Sequence, residues 1–81
     1  MNLERLPLKH KARISGFDSS LLAEHEARRL QELGFDEGVL VELLHQGPVG
    51  KDPIACRVGR MTIALRRRQA AAILVELEER A

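Results

Sequence analysis

The sequence predicts a mainly β protein, a small and strongly curved barrel of about five strands with one α-helix over residues 20–33. Two observations support this. Five short segments alternate apolar and polar residues and are separated by turn residues, which is typical of strands. Only one stretch repeats apolar residues at helical spacings of three and four. With 81 residues, the chain has room for a single domain over 1–81.

The first strand is expected over Lys11–Phe17, where Ala12 and Ile14 share one face and charged residues the other. Gly16 interrupts this pattern and suggests a bend or bulge. The residues before the strand mix three leucines with charges, so we expect a short apolar clasp leading into it.

The helix is expected to begin after Asp18-Ser19-Ser20, three residues that can cap a helix N-terminus. Its apolar face consists of Ala23, Ala27, Leu30 and Leu33. Gly34 follows at the position where a helix commonly ends in a left-handed residue. This helix is expected to pack across one opening of the barrel.

The second half of the chain is expected to supply four more strands. A strand over 39–45 is followed by a loop over 46–53, which contains two glycines and two prolines. Strands over 54–58 and 61–65 are joined by a tight turn at Gly59-Arg60, and a helical turn over 67–72 precedes the last strand, 73–77. The predicted core consists of Val41, Ile54, Ile63, Leu65, Ile73 and Val75, together with Leu30 and Leu33.

Composition narrows the possible functions. The chain has two Phe and no Trp or Tyr, so it lacks the aromatic surfaces that single-stranded nucleic acids stack on. A formal net charge of +1 disfavours sequence-independent nucleic-acid binding. No apolar run reaches the roughly 18–20 residues that span a bilayer, and no secretion signal is evident, so we expect a cytoplasmic protein.

Catalytic and metal-binding motifs are not evident. Neither a phosphate-binding loop nor a dinucleotide fingerprint occurs, and we expect no enzymatic activity and no cofactor. The single cysteine, Cys56, is expected to point into the core. His10, His25 and His45 lie in different elements, so we expect only weak transition-metal binding through exposed histidines, including bridging between two chains.

Arginine is concentrated in one part of the chain. No acidic residue occurs between Asp52 and Glu76, a span that holds Arg57, Arg60, Arg66, Arg67 and Arg68. These side chains either keep an exposed barrel edge soluble or form a docking face for an acidic surface or a phosphate. Because loops on a rigid barrel often carry recognition residues, we predict a partner-binding surface made of Pro48, Gly50, Asp52, Pro53, Arg57, Arg66 and Arg67.

The order of motifs along nearly the whole chain resembles the FeoA family. The resemblance depends on Ala12-Arg13-Ile14, Gly16-Phe17, Arg28-Arg29-Leu30, Glu32-Leu33-Gly34-Phe35, Gly38, Pro48, Gly50, Asp52-Pro53-Ile54, Ile63-Ala64-Leu65-Arg66, Ala70, Ile73 and Val75-Glu76. Two features depart from the family pattern. Lys9 stands where members often have glycine, and Lys51 is an added residue between Gly50 and Asp52.

The resemblance implies an SH3-like barrel and a non-catalytic accessory role in bacterial ferrous-iron uptake. It implies a partner as well, the cytoplasmic nucleotide-binding domain of the membrane transporter FeoB, with no membrane insertion and no nucleic acid. We expect a monomer or weak dimer. Two alternatives stay open: a transition-metal-binding protein and a small RNA-associated barrel, the latter suggested by the arginines.

Overall fold

The computed structural model describes residues 1–50 and 52–78, and in this part of the chain five strands form one sheet. The elements are a 3₁₀ turn (Leu3–Arg5), β1 (Lys11–Phe17), α1 (Glu24–Glu32), β2 (Leu40–Val49), β3 (Asp52–Val58), β4 (Met61–Leu65), α2 (Arg67–Ala71) and β5 (Ile73–Leu77). The strand order is β4-β3-β2-β1-β5, and every neighbouring pair is antiparallel. The mainly β prediction is confirmed, as are the first strand and the helical turn before the last one.

β1 lies between β2 and β5 in the sheet. Residues 11–13 of β1 pair with β2, where Ala12 lies opposite Val41. Residues 12–17 pair with β5, where Phe17 lies opposite Ile73. The register with β5 shifts between Ile14 and Gly16, which confirms the predicted irregularity at this glycine. Ala12 and Ile14 are buried, so the alternation read in the sequence follows the two faces of the strand.

The predicted loop over 46–53 is wrong, because β2 and β3 form a long hairpin that turns at Gly50. Two shifts of register between these strands accommodate residues that would otherwise break the pairing. At Gly47, an added Cβ would lie 2.5 Å from the carbonyl oxygen of Asp52. The glycine therefore allows a close approach of two backbones rather than a loop. The added residue Lys51 lies outside the described residues.

Helix α1 begins at Glu24, four residues later than the predicted start at residue 20. The Asp18 carboxylate accepts hydrogen bonds from the Ser20 hydroxyl at 2.6 Å and the Ser20 N–H at 3.0 Å, and these lower the pKa of Asp18. Asp18 thus closes a local turn instead of capping the helix. The N-cap is Ala23, whose N–H donates to the Glu26 carboxylate at 3.3 Å.

The C-terminal end of α1 follows the prediction. Leu33 is its C-cap, and Gly34 has a φ of 112°, a backbone conformation that residues other than glycine rarely adopt. The next residue, Phe35, donates its N–H to the Leu30 carbonyl at 2.9 Å and is completely buried. The turn after the helix therefore inserts one of the two phenylalanines into the core.

The core is mainly aliphatic, as expected, but its membership differs from the prediction: two predicted residues are not fully buried, and several buried residues were not predicted. Val41, Ile54, Leu65, Ile73, Val75 and Leu30 are all buried. Ile63 and Leu33 are only partly buried, because Ile63 lies on the end strand β4 and Leu33 lies at the helix terminus. The prediction omitted Leu3, Leu43 and Phe35, each fully buried.

Cys56 lies in the core, as predicted, and its thiol donates to the carbonyl of Ile63 at 3.4 Å. Burial raises the pKa of the Cys56 thiol to about 12. A thiol protonated at neutral pH is a weak nucleophile, so this cysteine behaves as a small apolar residue.

The N-terminal segment forms the expected apolar clasp before β1, and the structure places it over β5. Leu3 and Leu6 are buried, Asn2 bridges to Leu74, and Val75 donates its N–H to the Met1 carbonyl at 2.8 Å. The outer edge of β5 is thereby partly covered.

Lys9 adopts a left-handed backbone conformation, with a φ of 68°, and its N–H donates to Leu43 at 2.7 Å. A residue with a Cβ is strained there, by ~1–2 kcal/mol.

We expect Lys9→Gly to stabilise the fold by about 0.5–1 kcal/mol, because relief of strain exceeds the added entropy of the unfolded chain. Thermal denaturation should show a melting temperature higher by several degrees, whereas Lys9→Ala should leave it nearly unchanged. Equal melting temperatures for the glycine and alanine variants would contradict this account.

The difference in burial between two isoleucines predicts a difference in stability. Ile73→Ala should cost ~2–5 kcal/mol, the range for a fully buried aliphatic side chain, which is comparable to the whole stability expected of so small a core. Ile63→Ala should cost only about 1–2 kcal/mol, because water already reaches part of this side chain. Urea denaturation of both variants measures the two costs. Equal losses would mean that Ile63 is as much a core residue as Ile73.

Candidate partner-binding site

The predicted docking residues fall into two groups in the structure. The turn after β2 and the start of β3 lie beside the start of α2, which brings Gly50 and Asp52 together with Arg66 and Arg67. Pro53 is exposed in β3 next to them, and the backbone of Pro48 lies in β2. We call this group the turn surface: residues 48–50 and 52–53 with Arg66 and Arg67.

Asp52 holds the turn surface together by one hydrogen bond and one ion pair at the start of α2. Its Oδ1 accepts the N–H of Arg67 at 2.9 Å, and its Oδ2 lies 3.9 Å from the Arg66 guanidinium. A carboxylate at this position satisfies a helix N–H that has no partner within the helix. Asp52 therefore joins the hairpin to α2.

The Arg67 side chain contacts two segments of the chain. Its Nη1 donates to the Gly50 carbonyl at 3.0 Å, and its Nε pairs with the carboxylate of Glu4 in the N-terminal 3₁₀ turn. The side chain is 49% exposed. Because its Nε and Nη1 are engaged within the fold, we assign Arg67 to holding the turn surface in place rather than to binding a partner.

Arg68 is engaged in a similar way. Its two terminal nitrogens lie 2.8 and 3.4 Å from the two carboxylate oxygens of Glu26, which links α2 to α1. The hydrogen bond lowers the pKa of Glu26 and raises the pKa of Arg68. The run of arginines read as unbalanced charge is thus partly neutralised by acidic residues distant in sequence.

Arg57 lies apart from the turn surface. It is five residues along β3 from Asp52, a separation of about 17 Å at the rise of a β-strand. It lies opposite Thr62 on β4 and Glu42 on β2, and Arg60 follows in the two-residue turn between β3 and β4. In residues 1–50 and 52–78, neither Arg57 nor Arg60 forms an ion pair. The structure therefore does not place Arg57 with the other predicted docking residues.

The three histidines are exposed and lie in separate elements. His10 precedes β1 and has a ring nitrogen 3.1 Å from the Leu8 carbonyl, His25 is in α1, and His45 is in β2. Within the described residues, no group of three or more His, Cys, Asp or Glu side chains is placed to hold a metal ion. No helix in this part of the chain is long and apolar enough to cross a membrane.

Sequence reasoning missed a groove beside the turn surface. It is open, has a volume of about 740 Å³ and is lined by Met1, Glu4, Arg5, Leu6, Pro7, Leu8, Gln46 and Arg67. One wall is the N-terminal segment, which the Glu4–Arg67 pair holds against the rest of the fold. The only sequence signal for it was the apolar character of the first ten residues.

The FeoA domain model matches residues 1–77. The solved structure of Stenotrophomonas maltophilia FeoA is described as complexed with zinc and as a procaryotic SH3 domain protein. Its sequence is 37% identical to this chain, and the two structures superpose with a TM-score of 0.81, covering 100% of this chain and 99% of that chain. Chlorobium tepidum FeoA is 28% identical, with a TM-score of 0.85, and the match covers 95% of this chain and 70% of that chain.

Iron(II) transport protein A from Clostridium thermocellum is 35% identical, with a TM-score of 0.84 over 95% of this chain. The present chain spans 45% of the length of that one. No curated protein matches the chain. The likeness to these structures confirms the predicted SH3-like fold.

The contacts of Arg67 predict that its removal affects stability. Arg67→Ala should lower the melting temperature, because it frees the Gly50 carbonyl and the Glu4 carboxylate of their partner. Arg28→Ala is the matched control, since Arg28 is 70% exposed and reaches only Glu24 at 3.7 Å. Differential scanning calorimetry of both variants provides the measurement. If they melt together, Arg67 does not hold the turn surface and is available to a partner.

Proposed function

Since the chain belongs to the FeoA family, we propose that it is a non-catalytic accessory protein of bacterial ferrous-iron uptake that binds the cytoplasmic nucleotide-binding domain of FeoB. The match to the family over residues 1–77 is the observation that carries this proposal. The Stenotrophomonas relative is described as possibly acting as a ferrous iron transport activating factor, which agrees with an accessory role. The proposal includes a cytoplasmic location, a monomer or weak dimer, and no requirement for a cofactor or nucleic acid.

The turn surface is the docking site that the geometry supports best. Asp52 and Arg67 fix the turn against α2, so little conformational entropy remains to be lost when a partner binds. Arg66 is 72% exposed, and its one ion pair in the described chain, to Asp52, is long at 3.9 Å. Its guanidinium is therefore free to exchange this partner for a carboxylate on FeoB. We place Arg66 and Pro53 in the contact, with Arg67 as the residue that positions them.

Transition-metal binding is a second candidate function, favoured by the zinc in the Stenotrophomonas structure. In this chain the available imidazoles belong to His10, His25 and His45, which are exposed and lie in separate elements. A tight zinc site generally needs three or four converging ligands. We therefore propose that metal binding is weak and accessory to partner binding.

Charge reversal at Arg66 tests the docking surface. The full chain and the purified FeoB cytoplasmic domain are mixed, and the dissociation constant is measured by isothermal titration calorimetry. Arg66→Glu should weaken binding several-fold and leave the melting temperature nearly unchanged, because the side chain is exposed. Raising the salt concentration should weaken the binding of the parent chain as well, since exposed charges are screened. Arg28→Glu makes the same charge change on α1 and serves as the control.

The possible results separate the function from the surface. If the parent chain does not bind, the proposed partner is wrong. If Arg66→Glu binds as tightly as the parent chain, the turn surface is wrong although the partner is correct. If only Arg28→Glu weakens binding to the FeoB domain, the contact lies on the α1 face that bears Glu24, Arg28 and Glu32. Binding of generic RNA with strong salt dependence would favour the RNA-associated alternative.

A further inference from the structure

The two ends of the sheet differ in how their outer edges are covered. At one end, the N-terminal segment crosses β5 through the Asn2–Leu74 bridge and the hydrogen bond from Val75 to Met1. At the other end, β4 pairs only with β3 in the described part of the chain. Alternate residues of an edge strand direct their N–H and C=O groups outward, where they can pair with another strand.

The side chains of β4 leave this edge accessible. Its five residues, Met61–Leu65, carry no charge. Met61 is 50% exposed and Ile63 only partly buried, although both belong to the set of side chains that alternates toward the core, opposite Val58 and Cys56. An added strand would cover the exposed parts of both. Natural edge strands are commonly protected by a charge or a proline within the strand, and β4 has neither.

Positive charge flanks the edge on both sides. Arg60 precedes β4, Arg66 follows it, and Arg57 is the cross-strand neighbour of Thr62. No acidic residue occurs over 53–75. Arg60 and Arg66 are six residues apart, or about 20 Å along an extended strand. We call Met61–Leu65 with these two flanking arginines the β4 edge.

We propose that the β4 edge binds an extended, acidic segment of a partner polypeptide by β-strand addition. The segment would alternate apolar residues, which cover Met61 and Ile63, with polar ones, and would carry acidic residues about six positions apart. This inference goes beyond the proposed function, because it specifies the chemistry of a bound segment whichever protein carries it.

A second copy of the chain fits this edge poorly. Antiparallel pairing of two β4 strands centred on Ile63 would place Arg60 of one copy opposite Arg66 of the other at both ends. Parallel pairing in register would place each arginine opposite the same arginine of the other copy. Like charges directly opposite one another destabilise a strand pair. The flanking arginines thus oppose self-association and favour an acidic partner.

A synthetic peptide tests the proposal directly. The probe has seven residues, with blocked ends, in which valine and threonine alternate between two terminal glutamates. Paired antiparallel with residues 60–66, it would direct its valines inward and place a glutamate at each flanking arginine. Titration into the full chain, followed by NMR, should shift the backbone amides of β4 and protect some of them from hydrogen exchange.

Four matched comparisons, two with altered peptides and two with protein variants, decide the outcome. A peptide with lysines in place of the glutamates and the protein variant Arg60→Glu should each bind about three- to ten-fold more weakly. A peptide N-methylated at alternate residues on its pairing edge should not bind, whereas Arg28→Glu in the protein should leave affinity unchanged. The proposal is overturned if the acidic peptide fails to bind, if amides outside β4 shift instead, or if the methylated peptide binds equally. Concentration-dependent β4 shifts without peptide would identify a second copy as the occupant and also overturn it.

Discussion

The guanidinium of Arg67 is the contact on which the arrangement of the other segments depends. It joins the N-terminal 3₁₀ turn through Glu4 and the β2–β3 turn through Gly50, while the backbone N–H of the same residue is bound by Asp52. These segments are far apart in sequence, and their short elements cannot be stable alone. The helix that these contacts hold, α2, leads directly into β5, which pairs with β1 in the sheet.

This arrangement makes the two ends of the sheet unequal. The segment held by Arg67 crosses the outer edge of β5, whereas β4 ends the sheet on the other side without a further strand in the described chain. Ile63 is partly exposed for the same reason, since only one neighbouring strand covers it. In the described part of the chain, the sheet is thus partly covered at one edge and open at the other, where backbone pairing can be added.

The arginines of the second half serve two purposes. Arg67 and Arg68 pair with carboxylates of the N-terminal half and so connect distant elements, while Arg57 and Arg60 form no ion pair within the described residues. Ion pairs between exposed side chains contribute little to stability one by one, but they fix the orientation of the segments they join. The unpaired arginines and the exposed Arg66 carry the charge that an acidic partner would meet.

The sequence by itself determined the mainly β class, the limits of β1 and β5, the end of α1 just before Gly34 and the burial of Cys56, because periodicity and glycine conformation are local properties. It also indicated the family through the order of its motifs. The tertiary structure alone decided that residues 46–53 pair as strands and which arginines are neutralised. Those outcomes depend on Asp52 meeting α2 and on Glu4 and Glu26 meeting arginines more than forty residues away. Local patterns do not encode such contacts, since packing brings the partners together only after the chain has folded.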